Sequence, residues 1–317
     1  MPNPLLELEM PIGFGFMNAS WPGSPVLGDP QARGQFVAAL VYAMEQGVRL
    51  FDTADIYAPS WDAMGHNEIL LREAVSAWQA PNEEKAKLIL ATKGGISRST
   101  GESWNKDASY SYLASRVEAS LENLGVNEIP LWQHHRLDTH LTLNEQLVNL
   151  KRLKDTMPIR HIGVSNYSRE QLEAALDVLG GPADGGIISV QNQLSPAYRQ
   201  QLDVLEVCER NGLAFLPWSP MGGVRPGDSE TEVFAAFSRV AASRRTSRFS
   251  VAQAWLRSLS SSIIPLPGVT RRESIEDALS AVELRLTEDD LVQLANLPAT
   301  LPLDDELVRD QPLPAII

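Results

Sequence analysis

The feature that most restricts what this chain can fold into is a regular alternation of short apolar runs with longer stretches of helical periodicity. Eight such runs, rich in β-branched or large residues, lie at 10–16, 48–52, 88–92, 129–135, 159–164, 187–191, 213–217 and 263–266. Apolar runs of this kind read as strands buried on both faces, as in a parallel sheet. Between them, Phe36, Val37, Leu40, Val41 and Met44 form one helical stripe; Leu113, Val117, Leu121 and Leu124 form a second; Leu172, Ala175, Leu176 and Leu179 form a third. Thr142 with Glu145 and Ser168 with Gln171 have the spacing of capping boxes, and Gly47, Gly125, Gly180 and Gly212 stand where helices stop. Two architectures fit this alternation, an open doubly wound sheet and a closed (β/α)8 barrel. The open form usually carries Gly-x-Gly-x-x-Gly after its first strand. Here Gly13-Phe14-Gly15-Phe16-Met17-Asn18 lacks the third glycine and opens no helix. The reading is therefore an α/β chain folded as a (β/α)8 TIM barrel, a parallel eight-stranded closed sheet with its active site at the C-terminal mouth.

At 317 residues the chain suits a single barrel, so one domain is expected over 1–317. The stretch 298–317, with four prolines after the last helical pattern, reads as an irregular C-terminal tail. Loops at 94–109 and 219–230 are rich in Gly, Ser and Pro and long enough to suggest a functional role. Lys and Arg number 27 against 40 Asp and Glu, a net charge of −13. That balance argues against a nucleic-acid or anionic-membrane partner, because counterion release needs clustered cations. Cys208 is the single cysteine, so an intramolecular disulfide and a cysteine-based zinc site are excluded, and no metal is expected. The N-terminus has no basic stretch before an apolar core, and no apolar run approaches the roughly 18 residues of a membrane span. The expectation is a soluble, cytoplasmic protein of unspecified oligomeric state.

Polar residues stand at the ends of the expected strands, where barrel geometry turns them toward one mouth. Asp52, Asp55 and Tyr57 follow the second; Lys93 ends the third; His134, His135 and Arg136 end the fourth; Ser165 and Asn166 the fifth; Gln191 the sixth. An acid, a tyrosine, a lysine and a histidine in one cleft suggest proton transfer. A tyrosine hydroxyl has an ordinary pKa near 10, about three units too high for ready exchange at neutral pH. A neighbouring ammonium favours the phenolate, and three units correspond to roughly 4 kcal/mol. The carboxylate would keep the lysine charged, and the histidine would orient a substrate carbonyl oxygen. Each residue alone has a plainer reading: Asp52 as a cap, Lys93 as a solvated loop charge, Tyr57 as a rim residue. Adjacent histidines on a strand point to opposite faces, so at most one of His134 and His135 faces the lumen and the other packs under a helix.

At these residues the sequence resembles the aldo-keto reductase superfamily. The matching blocks are Gly47-Val-Arg-Leu-Phe-Asp-Thr-Ala-Asp-Ile-Tyr57, Leu90-Ala-Thr-Lys-Gly94, Ser120-Leu-Glu-Asn-Leu-Gly125, Ile162-Gly-Val-Ser-Asn166, Val190-Gln191, Pro217-Trp-Ser-Pro-Met-Gly222 and Ile264-Pro-Leu-Pro-Gly268. Together they span nearly the whole chain. The resemblance implies a catalytic tetrad of Asp52, Tyr57, Lys93 and His135, with Tyr57 as general acid. His135 is preferred over His134 because the family pattern places an Arg and then an Asp after it, as Arg136 and Asp138 stand here. It further implies that Ser165, Asn166 and Gln191 bond a nicotinamide carboxamide and that Trp218 stacks on the ring. Ser219, Met221 and Gly222 then belong to a loop over the pyrophosphate. The implied reaction is NAD(P)-dependent interconversion of an aldehyde or ketone and its alcohol. The alternative is a nicotinamide-binding regulatory or redox-sensing subunit with little turnover.

The sequence departs from the family pattern at three places. The stacking aromatic is Trp218 where Tyr is usual. After the last strand, Arg271 and Arg272 are available for an adenosine 2′-phosphate, but the usual downstream Arg and Asn positions read Ser274 and Ala278. NADP(H) is thus favoured and NAD(H) stays possible. The N-terminal hairpin that often plugs the barrel bottom is shortened to residues 1–10. Trp21, Trp61, Trp104 and Trp132 are candidate pocket walls for a ring-bearing or sugar-like carbonyl compound, with Trp132 equally suited to the core.

Overall fold

The structure, a computed structural model, describes residues 2–295 and Leu297; the tail expected over 298–317 lies outside the described residues. Its strands are β1 (Gly13–Gly15), β2 (Leu50–Asp52), β3 (Ile89–Gly94), β4 (Ile96–Ser99), β5 (Ser103–Lys106), β6 (Ile129–His134), β7 (Ile159–Ser165), β8 (Ile187–Gln191) and β9 (Ala214–Phe215). Seven of them pair in the order β1-β2-β3-β6-β7-β8-β9, every neighbour parallel. The helices are α1 (Pro25–Gly28), α2 (Pro30–Glu45), α3 (His66–Ala77), α4 (Asn82–Lys85), α5 (Tyr110–Leu124) and α6 (Leu143–Thr156). They continue with α7 (Arg169–Leu179), α8 (Leu202–Asn211), α9 (Glu232–Arg244), α10 (Arg248–Leu259), α11 (Arg272–Glu283) and α12 (Glu288–Ala295).

Local chemistry sets the helix ends. Asp29 accepts from the Gln31 amide and Pro30 opens α2, where its missing N–H costs nothing. Both expected capping boxes form, Thr142 with Glu145 at α6 and Ser168 with Gln171 at α7. Gly125 and Gly212 stop α5 and α8 in the left-handed region.

Two-residue periodicity then sorts each strand between two environments. Leu50, Ala91, Leu131, Ile188, Ala214, Leu216, Ile264 and Leu266 share one buried cluster. Their strand neighbours Phe51 and Leu90 pack instead with Phe36, Leu40, Met44 and Leu70 from α2 and α3. Trp132 and Phe215 pack with Leu113, Leu147 and Val204 from α5, α6 and α8. Two residues beyond the first cluster, toward the strand C-termini, stand Asp52, Lys93 and Gln133. A polar layer therefore sits on an apolar one. Gly163 keeps that layer thin, since a Cβ there would lie 2.2 Å from Ser189 Oγ.

Three expectations need correction. The run at 263–266 forms no paired strand. Pro265 and Pro267 have no N–H to give, so this segment only accepts at those positions, from Gly13 N at 3.0 Å and Gly15 N at 3.2 Å. Isolated bridges of Ile263 to Phe215 and Gly268 to Gly15 remain. The segment 94–109 is not a plain loop but holds the antiparallel hairpin β4–β5. Finally, the short N-terminal segment does cover one end of the sheet. Asn3 Nδ2 donates to the carbonyls of Ile188 (2.8 Å) and Gly212 (2.9 Å), which seats Leu5, fully buried, in the inner apolar cluster.

Truncating this plug should be felt globally. Leu5→Ala is expected to cost about 2–5 kcal/mol, the range for a fully buried leucine. Urea unfolding reads the loss as a lower midpoint at unchanged slope. A shift under 0.5 kcal/mol would show that Leu5 does not close the cluster.

Candidate active site

The inward positions of β2, β3, β6 and β8 bring four polar side chains into direct contact. Lys93, fully buried at the end of β3, donates to Asp52 Oδ2 (2.6 Å), to the Thr53 carbonyl (2.9 Å) and to the Tyr57 hydroxyl (3.4 Å). Asp52 Oδ1 accepts from Gln191 Nε2 (2.8 Å) and Gln133 Nε2 (3.3 Å), and Ser189 Oγ donates to Gln133 Oε1 (3.3 Å). The His135 ring meets the Tyr57 ring edge-on at 5.8 Å. All four expected tetrad positions are thus within one cluster.

Adjacent-residue parity separates the two histidines as anticipated. His134 turns outward, where its Nδ1 hydrogen-bonds with the Tyr167 hydroxyl (2.8 Å). Burial pushes it down to about 4. His135 lines the cavity, and burial, Lys93 and Arg136 hold it well below the ordinary imidazole range, so it is neutral at physiological pH. Burial alone would lower Lys93; Asp52 and Tyr57 overcome it and raise the ammonium. Tyr57 behaves otherwise than expected. Lys93 does pull its phenol down, but burial pushes harder, and the net direction is up.

A cavity of about 280 Å³ opens above this cluster. Asp52, Tyr57, His135, Arg136, Ser165, Asn166, Gln191, Trp218, Ser219 and Met221 line it, as do Phe16, Asn18, Arg225 and Thr270. Asn166, with φ of 61°, donates to the Ser165 hydroxyl (2.9 Å) and accepts from the Trp218 indole (3.0 Å), which fixes the indole at the wall. Gly222 is not in the lining; it turns the 219–224 segment back against Ser195. A second, larger cleft of about 960 Å³ is lined by Arg271, Arg272, Trp21 and Tyr42 and shares Asn18 and Thr270 with the first. Arg272 is held there by Glu276 (2.8 Å) and lies over Tyr42.

The tryptophans expected as pocket walls fall elsewhere than this cavity. None of Trp21, Trp61 and Trp104 lines the cavity around Tyr57; Trp21 lines the neighbouring cleft, with Trp104 at 6.4 Å from it, and Trp61 is exposed. Trp132 is wholly in the core. Asp55 also turns away from the mouth, paired with Arg116 at 2.8 Å, and burial raises it to about 7. Sequence reading missed Arg225, whose guanidinium donates to Ser219 Oγ (3.3 Å), and Arg98. Arg98 donates to the carbonyls of Ile56 and Ala58, on either side of Tyr57, at 3.0 and 2.8 Å. Arginines so far apart in sequence carry no spacing signal.

The chain is similar to known proteins over most of its length. A 6-dehydroglucose reductase of Novosphingobium aromaticivorans is 32% identical over 264 residues, 80% of this chain and 82% of that protein. An uncharacterised oxidoreductase of Schizosaccharomyces pombe is 29% identical over 286 residues, 89% and 85% of the two chains. A solved aldo-keto reductase from Klebsiella pneumoniae in complex with NADPH superposes with a TM-score of 0.70 at 21% identity, covering 89% of each chain. The model of the Aldo/keto reductase family matches residues 11–298, and the chain belongs to that family.

Proposed function

We propose that the protein is an NADP(H)-dependent reductase of an aldehyde or ketone, with Asp52, Tyr57, Lys93 and His135 as its catalytic residues. The observation that carries this reading is the contact chain Asp52–Lys93–Tyr57 at the floor of a cavity. In the same reading one domain holds the whole site, and the segment 262–269 stands as the eighth stave that closes the sheet into a barrel.

The residues present suit an extended dinucleotide. Ser165, Asn166 and Gln191 offer hydroxyl and amide groups for a carboxamide, and the fixed indole of Trp218 offers a stacking face. Ser219, Met221 and Gly222, with Arg225 beside them, form the loop suited to a pyrophosphate, and Arg271 and Arg272 in the connected cleft suit a 2′-phosphate. The NADPH bound to the Klebsiella relative supports this cofactor. When bound, the reduced nicotinamide supplies a hydride to the substrate carbonyl carbon. Tyr57 donates the proton to the carbonyl oxygen. Lys93 keeps the tyrosine hydroxyl oriented and stabilises the phenolate left behind, and Asp52 holds the ammonium in place. Neutral His135 orients the carbonyl oxygen without competing for the proton. The sugar-derived substrate named for the Novosphingobium relative points to a sugar-like carbonyl compound.

Tyr57→Phe should lower kcat for carbonyl reduction by about 10²–10⁴-fold, the usual share of general acid catalysis, while NADPH binding by fluorescence titration stays within a few-fold. Undiminished turnover would remove Tyr57 from its role. The pH profile follows from the directions of the shifts. A proton donor works below its pKa, and the phenol is raised, so reduction should stay level from about pH 6 to 9 and fall only beyond about 10. Depressed His135 adds no acid limb near its ordinary value. Alcohol oxidation, which needs the phenolate, should climb toward alkaline pH.

Cofactor choice is tested separately. Arg271→Ala and Arg272→Ala should each weaken NADPH relative to NADH, by about 10–150-fold where the guanidinium meets the phosphate directly. Equal losses for both cofactors would mean that the cleft holds no phosphate.

A further inference from the structure

Two guanidinium groups line the cavity. Arg225 is tied to the Ser219 hydroxyl. Among the described residues Arg136 is tied to nothing: no carboxylate there pairs with it, and no acceptor there lies within hydrogen-bonding distance of its five N–H groups. Other partly buried arginines in this fold are engaged. Arg98 and Arg116 hold Glu102 and Asp55, Arg199 holds backbone carbonyls, and Arg244 holds Asp290. A partly buried cation with no partner among the described residues is costly. Arg136 directly follows His135, acts electrostatically on Tyr57 and lines the same cavity as both, so it stands near the place where the carbonyl oxygen is expected.

We propose that Arg136 is a subsite for an anionic substituent of the substrate, a carboxylate or a phosphate carried on the same molecule as the reacting carbonyl. The inference rests on the carbonyl-reductase reading and adds a substrate class to it. The planar fork of an arginine matches either anion bidentately. An anion approaching a chain of net charge −13 is repelled at long range and needs a local cation at the mouth to enter.

The test uses pairs of which one member carries an anionic group and the other a neutral group at the same position. With NADPH, 4-formylbenzoate is compared with 4-formylbenzamide, succinic semialdehyde with its amide, and glyceraldehyde 3-phosphate with glyceraldehyde. Wild-type protein should prefer the anion in at least one pair by about 10–150-fold in kcat/KM, the range of a charge-assisted hydrogen bond. The carboxylate and phosphate pairs decide which source is used. Arg136→Met should bring that ratio close to one, and Arg136→Lys should retain part of it. The wild-type ratio stands without any variant, so poor folding of Arg136→Met leaves the proposal falsifiable. A ratio near one in all three pairs overturns it, as does a preference that survives in Arg136→Met. A variant that shifts only the pH profile, or weakens NADPH instead, also overturns it, since Arg136 would then tune Tyr57 or hold the cofactor. Should no carbonyl be turned over, the reductase reading fails. Calorimetric titration of the same pairs into wild type and Arg136→Met then decides the anion subsite by itself.

Discussion

A fully buried lysine is the constraint around which this site is arranged. Lys93 has no water to solvate it, and a lone ammonium in such a place would lose its proton. It stays charged because Asp52 faces it at 2.6 Å and the Thr53 carbonyl takes a second N–H. The third N–H is then directed at the Tyr57 hydroxyl, and the lysine's need for partners positions the tyrosine. Asp52 in turn has two oxygens to satisfy, and Gln191 and Gln133 supply the second. Removing one member exposes an unpaired charge on another, at several kcal/mol, whereas replacing the whole set by apolar side chains would cost stability little. The cluster is thus not a demand of the fold, which leaves the proposed chemistry as its explanation.

The fold meets the cluster by separating two layers along the same strands. At the bottom, Leu5 and the inner leucines and alanines exclude water from one end. At the top, the residues two positions further on are polar and lie under an open cavity. Gly163 lets the Ser189 and Gln133 side chains approach within that layer, which a methyl group would prevent. Arg98 adds rigidity from outside the sheet. It reaches from the β4–β5 hairpin to both carbonyls flanking Tyr57, so the loop that carries the tyrosine is held by an element that sequence periodicity represents only as a loop.

Much of this was legible in the chain because it follows from periodicity. Strand parity put one of the two adjacent histidines inside and the other under a helix, and the resemblance picked His135 for the inside. The capping boxes and stopping glycines marked helix ends where they occur. What failed did so for identifiable reasons. The eighth apolar run has the composition of a strand, but prolines at 265 and 267 remove the donors a ladder needs. The hairpin after β3 is written largely in polar residues, so its alternation carries little hydrophobic signal. Trp21, Trp61 and Trp104 sit on connections whose direction no periodicity fixes, and they miss the cavity around Tyr57.

The electrostatics of the site explain why the phenol can be raised and still serve. A hydroxyl pulled far down by Lys93 would spend part of its time as phenolate and could not donate. Burial offsets that pull, leaving the proton in place with the ammonium already positioned for the charge that forms once it departs. The stabilisation is therefore greatest after transfer, where it lowers the barrier, and not before it, where it would only empty the donor. His135, kept neutral by the same burial and by the cations beside it, cannot act as a competing acid. Desolvation and charge oppose each other at Tyr57 and Lys93 and act together at His135, and on the proposed reading that balance leaves the proton on Tyr57.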